Sequence, residues 1–264
     1  MYDEFLNFIF PLAKGAGEIQ LAYFRGDDLG IETKSNAYDV VTRADKESEA
    51  YIVQAILGRY PGHGILGEEG GVMGTAGSDY RWVIDPLDGT TNFASGLPVF
   101  CVSIALEHHK EAVIGVVFAP RLGECFHAVK GAGAWLNGQP IRCSGKTELS
   151  KAVVATGMPY DRNDNTDNNL DEISRMALRV RGIRRMGSAA IDLCYTAAGF
   201  LDAYWELNLN RWDVAAGQLI AEEAGAIIEP LRSDRNHSIL ASNPGLHATM
   251  RKILLPQRQK ATLK

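Results

Sequence analysis

The chain has 264 residues, 46% of them hydrophobic and 22% charged, with a formal net charge of −5. This length and apolar content suit one large domain or two closely packed halves. No apolar run reaches the roughly 18 residues of a transmembrane helix, and the acidic start disfavours a signal peptide. The dispersed Lys and Arg residues argue against a nucleic-acid face. We therefore expect neither a membrane nor a nucleic-acid partner.

The cysteines are scattered and form no C-x-x-C pair. Three of the four lie in apolar stretches that predict strands or helices. This placement is typical of buried, reduced thiols rather than of disulfides or a zinc site. We therefore expect a cytoplasmic protein.

The first half of the chain mixes helices and strands. Residues 1–25 predict an amphipathic helix interrupted or kinked near Pro11, and residues 46–60 predict a second helix. His108 and His109 fall in a hairpin turn, so we expect exposed turn residues rather than ligands. The predicted strands of this half are 64–67, 80–85, 99–109, 111–120 and 124–129.

The second half alternates strands and helices, which predicts a layered α/β arrangement. No repeat or linker divides the chain, so we expect a single domain of two packed halves, about 1–143 and about 150–264. The predicted strands are 152–157, 182–187, 201–207, 226–230 and 238–242. The predicted helices are 168–180, 188–199, 213–225 and 244–255.

The segment WVIDPLDGTTNF, residues 82–93, places two aspartates where a predicted strand ends. We expect Pro86 to stop the strand and leave Asp85 at its carboxyl end, where open α/β folds bind ligands. Asp85, Asp88 and the Leu87 carbonyl are oxygen ligands of the kind that Mg²⁺ prefers. Taken alone, the pattern is more often a helix cap followed by an Asp-Gly turn than a metal site.

Three further features of the sequence bear on the choice between a metal site and a helix cap. The free amides of Gly89 and Thr90 form a natural anion cradle after the second aspartate. Glu68 and Glu69 lie between glycines in a tight loop, where a ligand role is credible. Asp213 opens a predicted helix and, seen alone, is an ordinary helix cap.

The segments GEE, WVIDPLDGTTNF and WDVAAG, in that order, resemble the inositol monophosphatase family of metal-dependent, lithium-sensitive phosphatases. The resemblance extends over nearly the whole chain and includes KSNAYDVVTRAD, TGMPY, RRMGSAA and DAYWEL. It implies a sugar-phosphatase-like α/β fold with alternating α-β-α-β-α layers. It also implies one catalytic domain over residues 1–264, a homodimer, and Mg²⁺-dependent hydrolysis of a small phosphate monoester.

The resemblance implies two to three Mg²⁺ ions in each active site. Glu68, Asp85 and the Leu87 carbonyl would bind the first ion. Asp85, Asp88 and Asp213 would bind the second, and a third, weaker ion would use Glu68 through waters. A water activated by metal would then attack the phosphate in line.

The resemblance also assigns roles around the metals. Asp45 and Thr90 match the pair near the attacking water and, with Glu68, form the catalytic set. Lys34 matches the lysine of a mobile loop over the site. The implied substrate contacts are Asp88, Gly89, Thr90, Gly187, Ser188, Ala189, Glu206 and Asp213.

Two features favour a polyol phosphate such as inositol 1-phosphate. Thr91-Asn92-Phe93 is the form typical of inositol and sugar-alcohol phosphatases, and the Glu206 carboxylate can accept from two vicinal hydroxyls. The alternatives are a 3′(2′),5′-bisphosphate nucleotidase, a histidinol phosphatase, a fructose-1,6-bisphosphatase, or a catalytically silent regulatory or binding protein. The complete set of four carboxylates argues against a silent protein.

Two residues depart from the family pattern, and one segment could suggest a further metal site. Asn208 and Ala226 stand where family members usually have glycine, and the first of these departures leaves the substrate open. Residues 161–169 are rich in Asp and Asn. We interpret them as an exposed loop that caps the next helix rather than as a metal site.

Overall fold

The computed structural model describes residues 2–255. Its helices are α1 (Asp3–Tyr23), α2 (Arg43–Arg59), α3 (Thr90–Ala94), α4 (Leu170–Ala177), α5 (Ala189–Ala197), α6 (Arg211–Glu223) and α7 (Pro244–Leu254). Its strands are β1 (Glu32–Thr33), β2 (Val40–Val41), β3 (Gly64–Gly67), β4 (Gly71–Gly74), β5 (Tyr80–Asp88), β6 (Cys101–His108), β7 (Glu111–Ala119), β8 (Glu124–Val129), β9 (Gly133–Leu136), β10 (Gln139–Pro140), β11 (Val153–Thr156), β12 (Gly182–Arg184), β13 (Ala203–Leu209), β14 (Ile227–Pro230) and β15 (His237–Ser242).

The strands form a large and a small sheet, and β1 and β2 pair separately. The large sheet has the order β10-β9-β8-β7-β6-β5-β3-β4, and the small sheet has the order β12-β11-β13-β15-β14. In the large sheet β5 is parallel to β3 and antiparallel to β6. In the small sheet β11 is parallel to both β12 and β13, while β15 is antiparallel to its neighbours β13 and β14.

The helices and sheets alternate in five layers. Helices α1 and α2 cover one face of the large sheet, where Ile9, Ile52 and Trp82 are fully buried. Helices α5 and α6 lie between the two sheets, and α4 and α7 pack on the outer face of the small sheet. The predicted mixed α/β fold with α-β-α-β-α layers is therefore confirmed.

Small residues let the central helix α6 approach both neighbours closely. A Cβ added at Gly115 of β7 would lie 2.7 Å from the Ala216 carbonyl oxygen. One added at Gly217 would lie 2.9 Å from Leu193 of α5. The small residues after Asp213 therefore bring α6 against the large sheet and α5 together.

Two local expectations differ from the structure. Helix α1 runs from Asp3 to Tyr23 with Pro11 inside it, so of the interruption or kink expected near Pro11 the interruption is absent. Strand β5 does not stop at Pro86 but continues to Asp88, which pairs with Cys101 after an irregularity in the register. Proline is tolerated where the ladder is irregular, because its missing N–H is not needed there.

The loop at residues 161–169 is only partly the exposed cap that we expected. Asn169 is fully buried; its side chain donates to the Gly157 carbonyl and accepts from the Trp205 indole N–H at 2.7 Å. Helix α4 begins at Leu170, and the Asn168 side chain accepts a hydrogen bond from the Leu170 amide, as expected of a loop that caps the helix. Within residues 2–255, no helix is long and apolar enough to cross a membrane.

Candidate active site

The predicted site residues meet where four helices begin beside the end of β5. Thr90 at the start of α3 contacts Asp45 in the first turn of α2. Asp88 accepts hydrogen bonds from the Ser188 hydroxyl and the Ala190 amide at the start of α5. Asp213 lies in the first turn of α6. Helix N-termini favour negative charge, so this arrangement suits anions.

Two adjacent clefts open at this point. The first, which we call the carboxylate cleft, is lined by Lys34, Asp39, Glu68, Asp85, Leu87, Asp88, Gly89, Thr90, Tyr160, Asn210, Trp212 and Asp213. The second, which we call the adjoining cleft, contains the predicted substrate residues Gly187, Ser188, Ala189 and Glu206. Asp88 and Asp213 line both clefts, so a ligand can extend from one to the other.

The carboxylates of the carboxylate cleft are buried close to one another. Asp85 is 2% exposed and Asp88 is 9% exposed. Burial first, and then the charges of Glu68, Asp88 and Asp213, raise the pKa of Asp85 well above its usual range. Burial first, and then the charges of Glu68 and Asp88, raise the pKa of Asp213 well above its usual range. Such a cluster holds its charge only when a cation compensates it.

Lys34 supplies positive charge at one end of this cluster. Its Nζ donates to Glu68 Oε1 at 2.8 Å and also to Glu69. Burial raises the pKa of Glu68 to about 7, although the ammonium of Lys34 opposes that shift. As the side chains are placed in residues 2–255, no three acidic, His or Cys groups are arranged to hold a metal ion. Lys34 is therefore the cation that offsets part of the charge of Glu68 in this structure.

Asp45 lies behind the cleft and serves two purposes. Its Oδ2 accepts the Thr42 amide at 2.8 Å and the Thr42 hydroxyl, which caps α2. Its Oδ1 accepts the Thr90 hydroxyl at 2.9 Å. Thr90 Oγ1 also lies 3.0 Å from the Leu87 carbonyl oxygen. Asp45 therefore completes the capping box of α2 and also accepts a hydrogen bond from the Thr90 hydroxyl at the cleft.

Asp213 shows the same double use. Its Oδ2 accepts the Asn210 amide at 2.6 Å, which caps α6. The side chain nevertheless lines both clefts. The N-cap of α6 is Asn210 rather than Asp213, which lies two residues inside the helix and completes its capping box.

The turn after Asp88 depends on glycine. Gly89 has φ 98°, and a Cβ there would lie 2.8 Å from the Val99 carbonyl oxygen. This left-handed conformation places the first amides of α3 at the edge of the carboxylate cleft. The amides of Gly89 and Thr90 are the ones that the sequence analysis expects to bind an anion.

Asn92 has a role that sequence reasoning missed. Its Nδ2 donates to the Met186 carbonyl at 2.7 Å and to the Val99 carbonyl at 2.8 Å. Gly187, with φ 85°, packs directly against the Asn92 side chain. Asn92 therefore fixes the segment that precedes α5 against α3.

Glu206 lies at the floor of the adjoining cleft. It accepts the Tyr204 hydroxyl at 2.6 Å, and burial raises its pKa to about 7. A Cβ at Gly157 would fall 2.0 Å from the Glu206 carboxylate, so glycine is required opposite it. Gly157 belongs to the segment TGMPY, which carried the only sequence signal for its role.

Other cleft residues were also missing from the sequence prediction. Tyr160 and Asn210 line both clefts, Asp39 lines the carboxylate cleft, and Arg185 lines the adjoining cleft. Tyr160 and Arg185 stand in segments TGMPY and RRMGSAA, which contributed to the family resemblance but had no individual function assigned.

Relatives of known sequence point to one family. A sequence profile of the inositol monophosphatase family matches residues 1–262. The chain is 44% identical over 227 residues to the Nus factor SuhB of Pseudomonas aeruginosa, covering 84% of each chain. It is 44% identical over 229 residues to the inositol-1-monophosphatase of Synechocystis sp., covering 85% of this chain and 79% of that protein.

Solved structures agree with this assignment. The inositol monophosphatase from Anabaena (Nostoc) sp. matches with a TM-score of 0.86 and 38% identity, over 96% of both chains. The extragenic suppressor protein suhB from Bartonella henselae matches with a TM-score of 0.89 and 36% identity, over 96% of this chain and 99% of that one. The chain belongs to the inositol monophosphatase family, whose members share this layered phosphatase fold.

Proposed function

We propose that this protein is a Mg²⁺-dependent phosphatase that hydrolyses inositol 1-phosphate, or a similar polyol phosphate, to the free alcohol and inorganic phosphate. The observation that carries this proposal is the meeting of Glu68, Asp85, Asp88 and Asp213 at one cleft beside helix N-termini. These four residues come from three separate segments of the chain. Their mutual repulsion has a use only if cations bind among them.

The donor set fits a hard divalent cation. Carboxylates and the Leu87 carbonyl supply oxygen ligands without sulfur or imidazole, which suits Mg²⁺. Glu68, Asp85 and Leu87 would hold one ion, and Asp85, Asp88 and Asp213 a second; Glu68 would serve a third, weaker ion through water. When bound, Mg²⁺ supplies positive charge that offsets the phosphate dianion and acidifies the attacking water.

The residues of this chain perform the remaining steps. The Thr90 hydroxyl, held by Asp45, orients the attacking water, and the Asp45 carboxylate accepts its proton through Thr90. The amides of Gly89 and Thr90 donate to the phosphate oxygens. Lys34, released from Glu68, would place its ammonium beside the phosphate.

The adjoining cleft supports a polyol as the leaving group. Glu206 at its floor can accept hydrogen bonds from neighbouring hydroxyls, and Gly187, Ser188 and Ala189 lie across from it. A second phosphate close to Glu206 would be repelled, which disfavours bisphosphorylated nucleotides. Asn208, with φ 62°, takes a left-handed conformation that glycine adopts without strain and asparagine adopts more readily than most other residues, so the position suits either residue.

A panel of phosphate esters tests this function. We expect Mg²⁺-dependent phosphate release from inositol 1-phosphate that exceeds release from 3′-phosphoadenosine 5′-phosphate, histidinol phosphate and fructose 1,6-bisphosphate. Preference for one of the other three would overturn the substrate class. Absence of turnover with every ester would favour a catalytically silent binding protein on this fold.

We also propose that the protein is a cytoplasmic homodimer, as the family resemblance implies. Light scattering of the purified chain in Mg²⁺ buffer measures its mass directly. A mass near twice 28.8 kDa supports the dimer, and a mass of one chain contradicts it.

A further inference from the structure

Tyr160 stands at the boundary between the two clefts. It lines the carboxylate cleft together with Lys34 and Thr90, and it lines the adjoining cleft together with Glu206. It lies on the loop between β11 and α4, and 51% of the residue is exposed to solvent. Its position brings a side chain from the second half of the molecule over the carboxylates.

The hydroxyl of Tyr160 faces a strongly negative region. Burial of the hydroxyl, and then the charges of Asp213, Glu68, Asp39 and Asp88, raise the pKa of Tyr160. The phenol therefore keeps its proton at neutral pH and remains a hydrogen-bond donor. Among residues 2–255, the structure gives this hydroxyl no hydrogen-bond partner, so the donor is free for a ligand.

The loop that carries Tyr160 is fastened to the loop that carries Lys34. Asn36 Nδ2 donates to the Tyr160 carbonyl at 3.3 Å, and Asn163 Nδ2 donates to the Tyr38 hydroxyl at 2.8 Å. The Arg162 guanidinium lies 3.9 Å from the centre of the Tyr38 ring. These contacts hold both loops over the carboxylate cleft as a pair.

The other side of the loop is also held. Arg235 Nη2 lies 2.8 Å from both carboxylate oxygens of Asp161, the residue that follows Tyr160. One guanidinium nitrogen thus contacts both oxygens of Asp161, while Nη1 of the same side chain contacts Asp167, so the ion pair ties this side of the loop to Arg235. Tyr160 is thus positioned before a ligand arrives, which lowers the entropic cost of using its hydroxyl.

We propose that Tyr160 binds substrate, donating a hydrogen bond from its hydroxyl to an oxygen of the phosphoryl group. The inference rests on the proposed phosphatase function and adds a phosphate contact to it. We assign the phosphate rather than the alcohol as the partner, because Tyr160 lines the carboxylate cleft together with Gly89 and Thr90, whose amides we expect to hold the phosphate. A neutral donor can approach a dianion there without adding negative charge.

The variant Tyr160→Phe removes the hydroxyl and keeps the ring. Calorimetric titration with inorganic phosphate in Mg²⁺ buffer should show binding weaker by about 10-fold, as expected for one hydrogen bond to a charged group. kcat/KM should fall by a similar factor for inositol 1-phosphate and for glycerol 2-phosphate, because both share the phosphate and differ in the alcohol. The thermal melt should match that of the unchanged protein.

Two other tyrosines supply controls. Tyr51→Phe, on the exposed side of α2, should change neither phosphate binding nor turnover. Tyr38→Phe removes the bond from Asn163 but keeps the Tyr160 hydroxyl, so it measures the contribution of the loop contact separately. A loss in Tyr38→Phe as large as that in Tyr160→Phe would show that loop position, not the hydroxyl contact, sets affinity, and would overturn the inference.

Phosphate binding also separates this inference from the proposed function. If no ester is hydrolysed but Tyr160→Phe still weakens phosphate binding, the contact stands and the proposed activity fails. If the unchanged protein binds no phosphate, or if the variant binds it equally well, the contact is wrong. A loss confined to inositol 1-phosphate, with unchanged phosphate binding, would place the hydroxyl on the alcohol instead and would likewise overturn the inference.

Discussion

The Thr90 hydroxyl donates to the Asp45 carboxylate across 2.9 Å and so joins the N-termini of two helices that are distant in sequence. Asp45 is fully buried, whereas Thr90 reaches the carboxylate cleft. Burial raises the pKa of Asp45, although hydrogen bonds from Thr42 and Thr90 oppose the shift. A buried carboxylate with an elevated pKa behind a hydroxyl is suited to accept a proton from the cleft.

This pair gives the first prediction. Thr90→Val keeps the shape of the side chain but removes the hydroxyl, so kcat should fall by about 100-fold or more while KM changes little. Thr90→Ser retains the hydroxyl and should keep most of the activity. Steady-state kinetics with inositol 1-phosphate measure both. A Val variant with full kcat and a raised KM would show that Thr90 only binds substrate.

Asp85 gives a prediction about stability. Because burial and neighbouring negative charges disfavour its ionised form, Asp85→Asn should leave the melting temperature of the metal-free protein unchanged or raised. Mg²⁺ at 100 times its Kd should stabilise the unchanged protein by about 2.7 kcal/mol, and the variant should lose most of that gain. Calorimetry with and without a chelator measures both effects.

The matched control for that experiment is Asp79→Asn, since Asp79 is exposed and pairs with His109. It should keep the full response to Mg²⁺. A large loss of stability in metal-free Asp85→Asn would instead mean that Asp85 serves the fold rather than the metal.

The raised pKa of Glu206 leads to a prediction about how the free energy of unfolding depends on pH. Its folded-state pKa is raised from 4.5 to about 7 by burial, so the folded protein retains a proton that the unfolded chain releases between these values. The associated stability is fully present below pH 4.5 and is lost as pH rises through about 7, with a total on the order of 3 kcal/mol. Glu206→Gln should remove this part of the pH dependence.

Urea unfolding of the metal-free protein at pH 5 and pH 8 measures the difference. The raised pKa of Glu68 acts in the same direction, so the unchanged protein and the variant must be compared at both pH values. Equal pH dependence in the two proteins would rule out burial of an ionising Glu206.

The ion pairs of Glu107 lead to a prediction that this buried carboxylate affects metal binding through α6. This fully buried carboxylate lies 2.6 Å from Arg81 Nη2 and 2.7 Å from Arg211 Nε. Arg211 is the first residue of α6, the helix that carries Asp213. Glu107→Ala should cost about 3–5 kcal/mol of unfolding free energy and raise the Mg²⁺ concentration needed for half-maximal activity.

Glu111→Ala is the control, because Glu111 forms an exposed ion pair with Lys130 near the same hairpin. It should leave both the free energy of unfolding and the Mg²⁺ requirement nearly unchanged, because exposed ion pairs contribute little to stability. Equal effects of the two substitutions would remove the argument that Glu107 positions α6.

The sequence predicted the elements well where periodicity and termination signals agreed. The strand of residues 124–129 and the helix that begins beside Asp213 were expected and are present. The end of β5 was predicted too early, at Pro86. Whether a proline ends a strand depends on the pairing with the neighbouring strand, which local sequence does not show. Asn169 was expected on the surface, since local composition does not show that Trp205 needs a hydrogen-bond partner there.

The site was predictable only in part for a similar reason. Asp45 and Asp213 have the local signature of helix N-termini and lie at the third position of capping boxes whose N-caps are Thr42 and Asn210. Sequence pattern by itself could not show that Asp213 also lines the clefts or that Asp45 contacts Thr90. The family resemblance supplied that information. The resemblance included the segment of Tyr160 but assigned this residue no role. Its proximity to Glu68 and Asp213 depends on a loop that two distant segments hold in place.

The most direct test of a metal-dependent phosphatase site is the rate of phosphate release from inositol 1-phosphate as Mg²⁺ is added to chelator-treated protein. The unchanged protein should show no turnover without metal and a saturable rise with Mg²⁺. Asp85→Asn should stay at least about 100-fold lower at every concentration. Turnover that persists in chelator, or a variant that matches the unchanged protein, would contradict the assignment of the buried carboxylates as metal ligands.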